Sequence, residues 1–276
     1  MKPLLIAAVL SSSVFATAQA AAPDARQIVH ELYQQGIAKG DQQVVRKWVA
    51  EKYIQHNPQV EDGRTGLLKL LDQIHDPANP FKVDIKRTLV DGPLVVTHSE
   101  LTWGKNRQVA FDVFRVENGQ VLEHWDALQV HPEKTASGHS MIDGVTEVRD
   151  QARTDSNKAL VREFMQTILF DGKLDQLPRF FDGDRYIQHN PAVADGLSGL
   201  GAGLKAMAEQ GITLKYQRMH RVIGQGNFVL VQSEGEFAGK PSAYYDLFRV
   251  ENGKIAEHWD VIQTIPAKSA NGRGMF

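Results

Sequence analysis

The sequence predicts an α+β protein made of two tandem copies of one domain. Blocks of letters recur in the same order. Tyr53-Ile-Gln-His-Asn-Pro58 returns as Tyr186–Pro191, Phe114-Arg-Val-Glu-Asn-Gly119 as Phe248–Gly253, and Glu123-His-Trp-Asp126 as Glu257–Asp260. The offset is 133 for the first block (186 − 53) and 134 for the others (248 − 114, 257 − 123), too long for a solenoid unit of about 20–50 residues. Within each copy helical patterns come first and strand patterns follow, the order expected for helices packed on one face of a mainly antiparallel sheet.

The elements read in order. Asp24 to Lys39 places Ile28, Leu32 and Ile37 on one apolar stripe, a helix that Gly40-Asp41 breaks. Val44, Val45, Trp48 and Val49 mark a second short helix. The Tyr53 block reads as a strand ended by Pro58, and Asp62-Gly63 turns the chain into a third helix over Thr65 to Ile74. Four alternating runs follow, Lys82–Val90, Leu94–Trp103, Gln108–Val116 and Gln120–Val130, separated by Gly- and Asn-containing turns. The second copy repeats this from Ser156 to Ile265, and residues 134–153, polar and rich in turn formers, read as a linker. Domain 1 is therefore expected over residues 24–133 and domain 2 over residues 154–276.

Composition excludes several classes. With 276 residues, 42% hydrophobic and 23% charged, the chain is ordinary globular protein. Its net charge of −2 offers no basic field for nucleic acid and no polybasic patch for a membrane. It has no cysteine, so thiol chemistry and disulfides are out. Residues 1–20 stand apart: Met1-Lys2-Pro3 is a short positive start, Leu4 to Leu10 an apolar run, and Ala18-Gln19-Ala20 a small-x-small cleavage site. This pattern reads as a signal peptide and places the mature protein in the periplasm or outside the cell.

The order of these blocks, with Tyr-Ile-Gln-His-Asn-Pro before the third helix and Asp112-Val-Phe-Arg-Val-Glu-Asn-Gly then Glu-His-Trp-Asp on the last strands, resembles the SnoaL-like polyketide cyclase branch of the nuclear-transport-factor-two-like superfamily. The resemblance spans both copies. It implies two cone-shaped domains, each a curved, mostly antiparallel sheet wrapped around three helices. It also implies a small-molecule cavity in each cone, with the outer sheet faces pairing the two domains as an intramolecular pseudo-dimer.

Cross-strand geometry suggests which polar residues meet. If Gly104-Lys105-Asn106 is a three-residue loop, His98 lies opposite Asp112. If Glu117-Asn118-Gly119 is another, Asp112 lies opposite His124, with Asp126 two residues along on the same face. The second copy then reads Gln232, Asp246, His258 and Asp260. Asn-Gly is also the preferred pair for a two-residue type I′ turn, and that register puts Trp125 beside Asp112 and sends His124 and Asp126 to the other face. The resemblance favours the first register, because SnoaL-like cyclases carry an acid/base aspartate where Asp112 stands and a histidine on the preceding strand, where His98 stands. Limonene epoxide hydrolases place a water-activating aspartate where Asp126 and Asp260 stand.

The candidate catalytic set is therefore Asp112, His98, His124, Asp126, Asp246, His258 and Asp260. The candidate ligand contacts are His56, Asn57, Trp125, His189, Asn190, Gln232 and Trp259. The two tryptophans are read first as packing, and the asparagines, which cannot act as bases, as hydrogen-bonding groups. No metal and no cofactor is expected, since Gln232 would be a poor ligand in place of His98. A buried aspartate beside an imidazole can take a proton from a carbon next to a carbonyl and return it elsewhere. The leading expectation is thus an exported, cofactor-independent enzyme performing aldol-type cyclisation or isomerisation on a small apolar carbonyl compound. A periplasmic binding protein without chemistry and an epoxide-hydrolase-like hydrolase are the alternatives. The export reading has a direct check. N-terminal sequencing of protein released by osmotic shock should begin near Ala21, and intact Met1 in the cytosolic fraction would refute it.

Overall fold

The computed structural model describes residues 24–276, so the expected signal segment lies outside the described residues. The first repeat begins with α1 (Ala25–Glu31), which Asp24 caps: its side chain accepts from the Gln27 N–H while the Gln27 side chain accepts from the Asp24 N–H. The helix continues as a π-helical turn over Leu32–Ile37. Asp41 caps α2 (Gln42–Trp48), which runs directly into β1 (Val49–Gln55), and α3 spans Gly63–Ile74. The meander is β2 (Lys82–Asp91), β3 (Leu94–Trp103), β4 (Asn106–Glu117) and β5 (Gln120–Val130), with sheet order β1-β5-β4-β3-β2. Only β1 is parallel to its neighbour, β5.

The second repeat follows the same plan with α4 (Thr154–Phe164, extended by a π-helical turn to Phe170), a short β6 (Ile187–Gln188), α5 (Gly196–Glu209), β7 (Leu214–Gln225), β8 (Phe228–Phe237), β9 (Lys240–Glu251) and β10 (Lys254–Thr264). A 3-10 segment, Leu174–Arg179, stands where the first repeat has α2. The sheet order is β6-β10-β9-β8-β7. Two tandem α+β domains result, each a five-stranded sheet with helices. Among the described residues no helix is long and apolar enough to cross a membrane.

The registers differ from both expected ones. Trp103 pairs with Asn106, so the β3–β4 loop is the two-residue Gly104-Lys105, and Thr97, not His98, lies opposite Asp112. Between β4 and β5, Glu117 pairs with Gln120 across Asn118-Gly119, whose φ values of 51° and 75° are those of a type I′ turn. Left alone, that turn would face His124 outward. A β-bulge at Leu122 adds one residue to β5 and restores the parity, so that Arg115 pairs with Glu123 and Asp112 lies directly opposite Asp126. The second repeat uses the same device, with φ of 51° and 74° at Asn252-Gly253, a bulge at Ala256, and Asp246 opposite Asp260.

Alternation then divides each sheet into two faces. The inner face of the first repeat packs Val95, Ala110 and Phe114 against Ile28, Leu32 and Leu71 of the helices. The outer faces of the two sheets share a single apolar cluster that includes Phe111, Val113 and Trp125 from the first repeat and Leu230, Leu247 and Trp259 from the second. Each indole is covered by a guanidinium of the other repeat: Arg221 sits 4.0 Å from the Trp125 ring centroid and Arg87 4.1 Å from that of Trp259.

The segment expected as a polar linker is no free tether. Met141 and Ile142 are buried in the shared cluster, and Arg87 donates to the carbonyls of Ile142, Asp143 and Val145. This segment is itself repeated. Lys134, Ala136, Gly138 and Met141 recur as Lys268, Ala270, Gly272 and Met275. Each copy is a strap that leaves its own sheet and docks on the other repeat, Ala136 N–H donating to Pro191 O and Ala270 N–H to Pro58 O. Stable interfaces of this kind generally bury roughly 1,200–2,000 Å² in total. Either repeat expressed alone exposes that cluster and should self-associate or aggregate in sedimentation analysis. Two well-behaved monomeric halves would contradict this.

Candidate active site

Three side chains meet on the inner face of the first sheet. Asp112 comes from the middle of β4, and His124 and Asp126 from alternate positions of β5 past the bulge. All three are buried, and His124 Nε2 lies 3.0 Å from Asp112 Oδ1. Thr97 on β3 donates to Asp112 Oδ2 at 3.4 Å. Asn57, just past β1, donates from Nδ2 to Asp126 Oδ2 at 2.6 Å, while its own Oδ1 accepts from the Gln59 N–H. Asp126 Oδ1 is buried and has no partner.

The protonation of His124 follows from its neighbours. Gln55 Oε1 accepts from the Asn57 N–H at 2.8 Å, which fixes that atom as the carbonyl oxygen. His124 Nδ1 lies 3.0 Å from the same oxygen and therefore carries a hydrogen. The Nε2 contact with Asp112 then needs a second proton, on the ring or on the carboxyl. Burial pulls the imidazole down, but the bond to Asp112 and the charges of Asp126 and Asp112 outweigh it and hold His124 above its ordinary value. Burial pushes Asp126 up to about 6; His124 draws it down, Asp112 raises it further, and Asn57 lowers it. The site thus holds two facing carboxyl groups with one imidazole beside them that shares a proton with Asp112, and Asp126 changes charge at about 6.

These groups form the floor of a cavity of about 650 Å³, within the roughly 300–1,000 Å³ typical of small-molecule sites. Leu32, Ile37, Leu67, Leu101 and Leu128 give it apolar walls, and Phe81 and Trp103 stack on each other, 5.9 Å between centroids, where both line it. Tyr33 and Tyr53 also line it, their phenols pushed well up by burial and by the charges of Asp112 and Asp126. Sequence reading missed Tyr33, Tyr53, Gln55 and Thr97. Tyr53 and Gln55 carried a signal, for both lie in a repeated block at the strand parity of Asn57. Tyr33 and Thr97 carried none.

Other expected residues lie elsewhere. His98 points to the outer face, stacked on Phe111 at 4.1 Å with Nδ1 3.2 Å from Arg87. Burial and the Arg87 charge push its pKa well down, so it is a neutral imidazole between the sheets. Gln232 is its counterpart, pairing with Tyr245 and accepting from Arg221 at 3.4 Å. The two-residue loop shifted the register by one and moved both residues to the opposite face. Trp125 and Trp259 alternate outward between the inward His and Asp of each strand. His56 stacks on Trp125 at 5.0 Å and His189 on Trp259 at 4.6 Å, so all four belong to the seam between the repeats.

The second repeat rebuilds the polar set. His258 Nε2 lies 3.1 Å from Asp246 Oδ1 and Asn190 donates to Asp260 Oδ2 at 2.6 Å. Asp260 is pushed up to about 6, by burial first, with His258 and Asn190 opposing and Asp246 adding to the rise. Its surroundings differ. The Tyr216 hydroxyl donates to Asp246, 3.1 and 3.2 Å from its two oxygens, and its ring stacks on Tyr244 at 4.3 Å and lies 5.7 Å from Phe170. Val83 and Ala110 stand at the matching positions of the first sheet. The first site is therefore the open one, because aromatic rings cap the second, rather than because of His98.

Each repeat offers an Asp–His–Asp group whose ligand-type atoms lie within 4.8 Å of one another. His124 Nδ1 is committed to Gln55 and Nε2 faces Asp112, so the set is already joined by a proton. A divalent ion would have to displace it.

The sequence profile of the SnoaL-like domain family matches residues 29–124 and 161–258, and the chain belongs to this family. Similar solved structures each align with a single repeat. IdmH of Streptomyces antibioticus, named as a candidate polyketide cyclase, is 19% identical over 38% of this chain and 91% of its own, with a TM-score of 0.33. TsrD from Streptomyces laurentii is 18% identical over 38% and 87%, TM-score 0.32. An LEH-like epoxide hydrolase of M. tuberculosis is 21% identical over 37% and 80%, TM-score 0.32. No curated protein matches the chain.

The raised Asp126 pKa has a measurable consequence for stability. A folded-state pKa of about 6 against 3.8 means the folded protein holds a proton that the unfolded chain releases. The associated stability is complete below about pH 4 and lost as pH rises through about 6, on the order of 3 kcal/mol. Asp126→Asn should therefore be more stable than the parent at pH 7.5 and equal to it below pH 4 in denaturant unfolding. Equal or lower stability at pH 7.5 would sink the assignment.

Proposed function

From its membership of the SnoaL-like domain family and the geometry of its first cavity, we propose that this protein performs cofactor-independent acid–base chemistry on a small apolar carbonyl compound. The observation that carries the reading is the buried, unpartnered Asp126 Oδ1 on the cavity floor, on a carboxylate whose pKa lies near neutrality. In this scheme Asp126 takes a proton from the carbon next to the carbonyl. The electron pair moves onto the carbonyl oxygen, and the His124–Asp112 pair stabilises that developing charge. Returning the proton to a different carbon gives isomerisation. Attack of the enolate carbon on a second carbonyl of the same molecule forms the new C–C bond, and the resulting alkoxide takes the proton back from Asp126, completing an aldol-type cyclisation. The apolar walls suit a substrate without charge. The N-terminal segment would place the reaction outside the cytoplasm, with the pairing of the two sheets serving in place of a second chain.

A hydrolytic reading is favoured by one contact, the Asn57–Asp126 hydrogen bond, which orients a carboxylate whose free oxygen could hold a water. Exposure to epoxides in ¹⁸O-labelled water separates the two, since only the hydrolase leaves label in a diol.

The main test is solvent deuterium uptake into the α-carbon of simple cyclic ketones, followed by NMR. Asp126→Asn and Asp112→Asn should each slow exchange by roughly 10²–10⁴-fold while ligand binding persists. Asp246→Asn should change it little, because Tyr216 already caps that carboxylate. Ketones that bind without any Asp126-dependent exchange would make the non-catalytic binding protein the better reading.

A further inference from the structure

The loop that carries Asn57 is held by the far end of the chain. The second strap runs back from β10 onto residues 56–62. Asn271 Nδ2 donates to the carbonyls of Asn57 at 2.6 Å and Val60 at 3.1 Å. Gly274 O lies 2.8 Å from His56 Nδ1. Arg273 donates to Asp62 Oδ2 at 2.9 Å, while Asp62 Oδ1 accepts from the N–H of Gln55 at 2.9 Å. The strap thereby reaches backbone groups of two residues whose side chains build the cavity floor. Gln55 fixes the His124 ring, and Asn57 fixes Asp126.

The two straps are not equivalent. The first also closes on its target loop, through Ala136 N–H to Pro191 O and His189 Nδ1 to Ser140 O at 2.7 Å. At the position of Asn271, however, it carries Ser137, whose hydroxyl accepts from the His139 N–H within the strap. The amide clamp thus serves the repeat with the open cavity, and the repeat capped by Tyr216 does without it.

We propose that Asn271 of the second repeat is a positioning residue for the first cavity, holding the Asn57 loop so that the Asn57 amide stays on Asp126. This rests on the acid–base reading of Asp126. It also means the first cavity is incomplete without the second repeat. The geometry assigns Arg273 a supporting part through Asp62 and Gln55.

The test uses the full chain and the residue that the first strap already tolerates, Asn271→Ser. The readout is the titration of the Asp126 carboxyl by ¹³C NMR, with Asn57→Ala setting the full effect. Asp126 faces Asp112, His124, Tyr33 and Tyr53, with Tyr245 of the second repeat behind the sheet, and all of these remain in the variant. Because the Asn57 bond lowers the Asp126 pKa, freeing the loop should move the midpoint upward, in the same direction as Asn57→Ala and by roughly 0.5–1 pH unit at most. Ser137→Ala, on the other strap, should leave it unmoved. An unmoved Asp126 midpoint in Asn271→Ser, with or without a lower Tm, would overturn the proposal and leave the strap as a structural tie. Asn271→Ala gives a second reading on the same scale. The titration needs no substrate. If the ketone exchange fails while the midpoint shifts, the catalytic reading falls and the positioning role stands.

Discussion

One parity constraint governs both faces of each sheet. Glu-His-Trp-Asp must put its histidine and aspartate on the concave side and its tryptophan on the convex side. A type I′ Asn-Gly turn alone gives the reverse. The bulge at Leu122, and its twin at Ala256, adds the one residue that corrects this. Without it His124 and Asp126 would enter the seam between the sheets as charges, and Trp125 would fill the cavity. A deletion of one residue in β5 would therefore disrupt the site and the domain pairing together.

The same sheet manages buried charge differently on its two sides. On the seam, Arg87 is desolvated enough to bring its pKa down to about 10, yet it donates to strap carbonyls and lies over Trp259. His98 beside it stays neutral. The Arg87 contacts satisfy the guanidinium inside an apolar layer, while His98 Nε2, Trp125 Nε1, Gln232 Nε2 and the Tyr245 hydroxyl beside it have no partner. On the concave side satisfaction is left incomplete. Asp112 and Asp126 face each other across two strands with a single imidazole near them, and one oxygen remains unpaired. Such an atom costs stability unless a ligand or proton meets it. Unpaired atoms occur on both sides, and the one on the floor is set apart because it belongs to a carboxylate that lines a cavity.

Much of this was legible in the letters. The repeated blocks gave the duplication, the order of helix and strand patterns gave the fold class, and resemblance to the SnoaL-like family gave the cone. His124, Asp126 and Asp112 were brought together as expected, but by a register that neither proposed turn produces. A bulge leaves little trace in sequence, since Leu122 looks like any strand residue. His98 was lost to the same uncertainty, a single residue of loop length at Gly104-Lys105. The strap was hidden by its composition. Lys134 to Ser140 is as polar as a tether, and its repeat in Lys268 to Gly274 shows only when the two are set side by side. Tyr216 could not be foreseen at all, because its effect depends on Phe170 and Tyr244 lying beside it in space.

Comparison of the two copies separates what the assembly needs twice from what it needs once. Four residue pairs of the seam and straps are retained: His56 and His189, Arg87 and Arg221, Trp125 and Trp259, Met141 and Met275. Each member of a pair packs against the other repeat, so loss of either damages the whole. On the concave face of the sheets the copies have parted, Val83 against Tyr216 and Ala110 against Tyr244. The capped site nevertheless keeps Asp246, His258 and Asp260. Removing one partner of the buried Asp246–His258 pair strands the other, at a cost of about 3–5 kcal/mol. A network of this kind cannot be dismantled one residue at a time. A tyrosine laid over it, donating to Asp246, closes the site while leaving Asp246 and His258 paired.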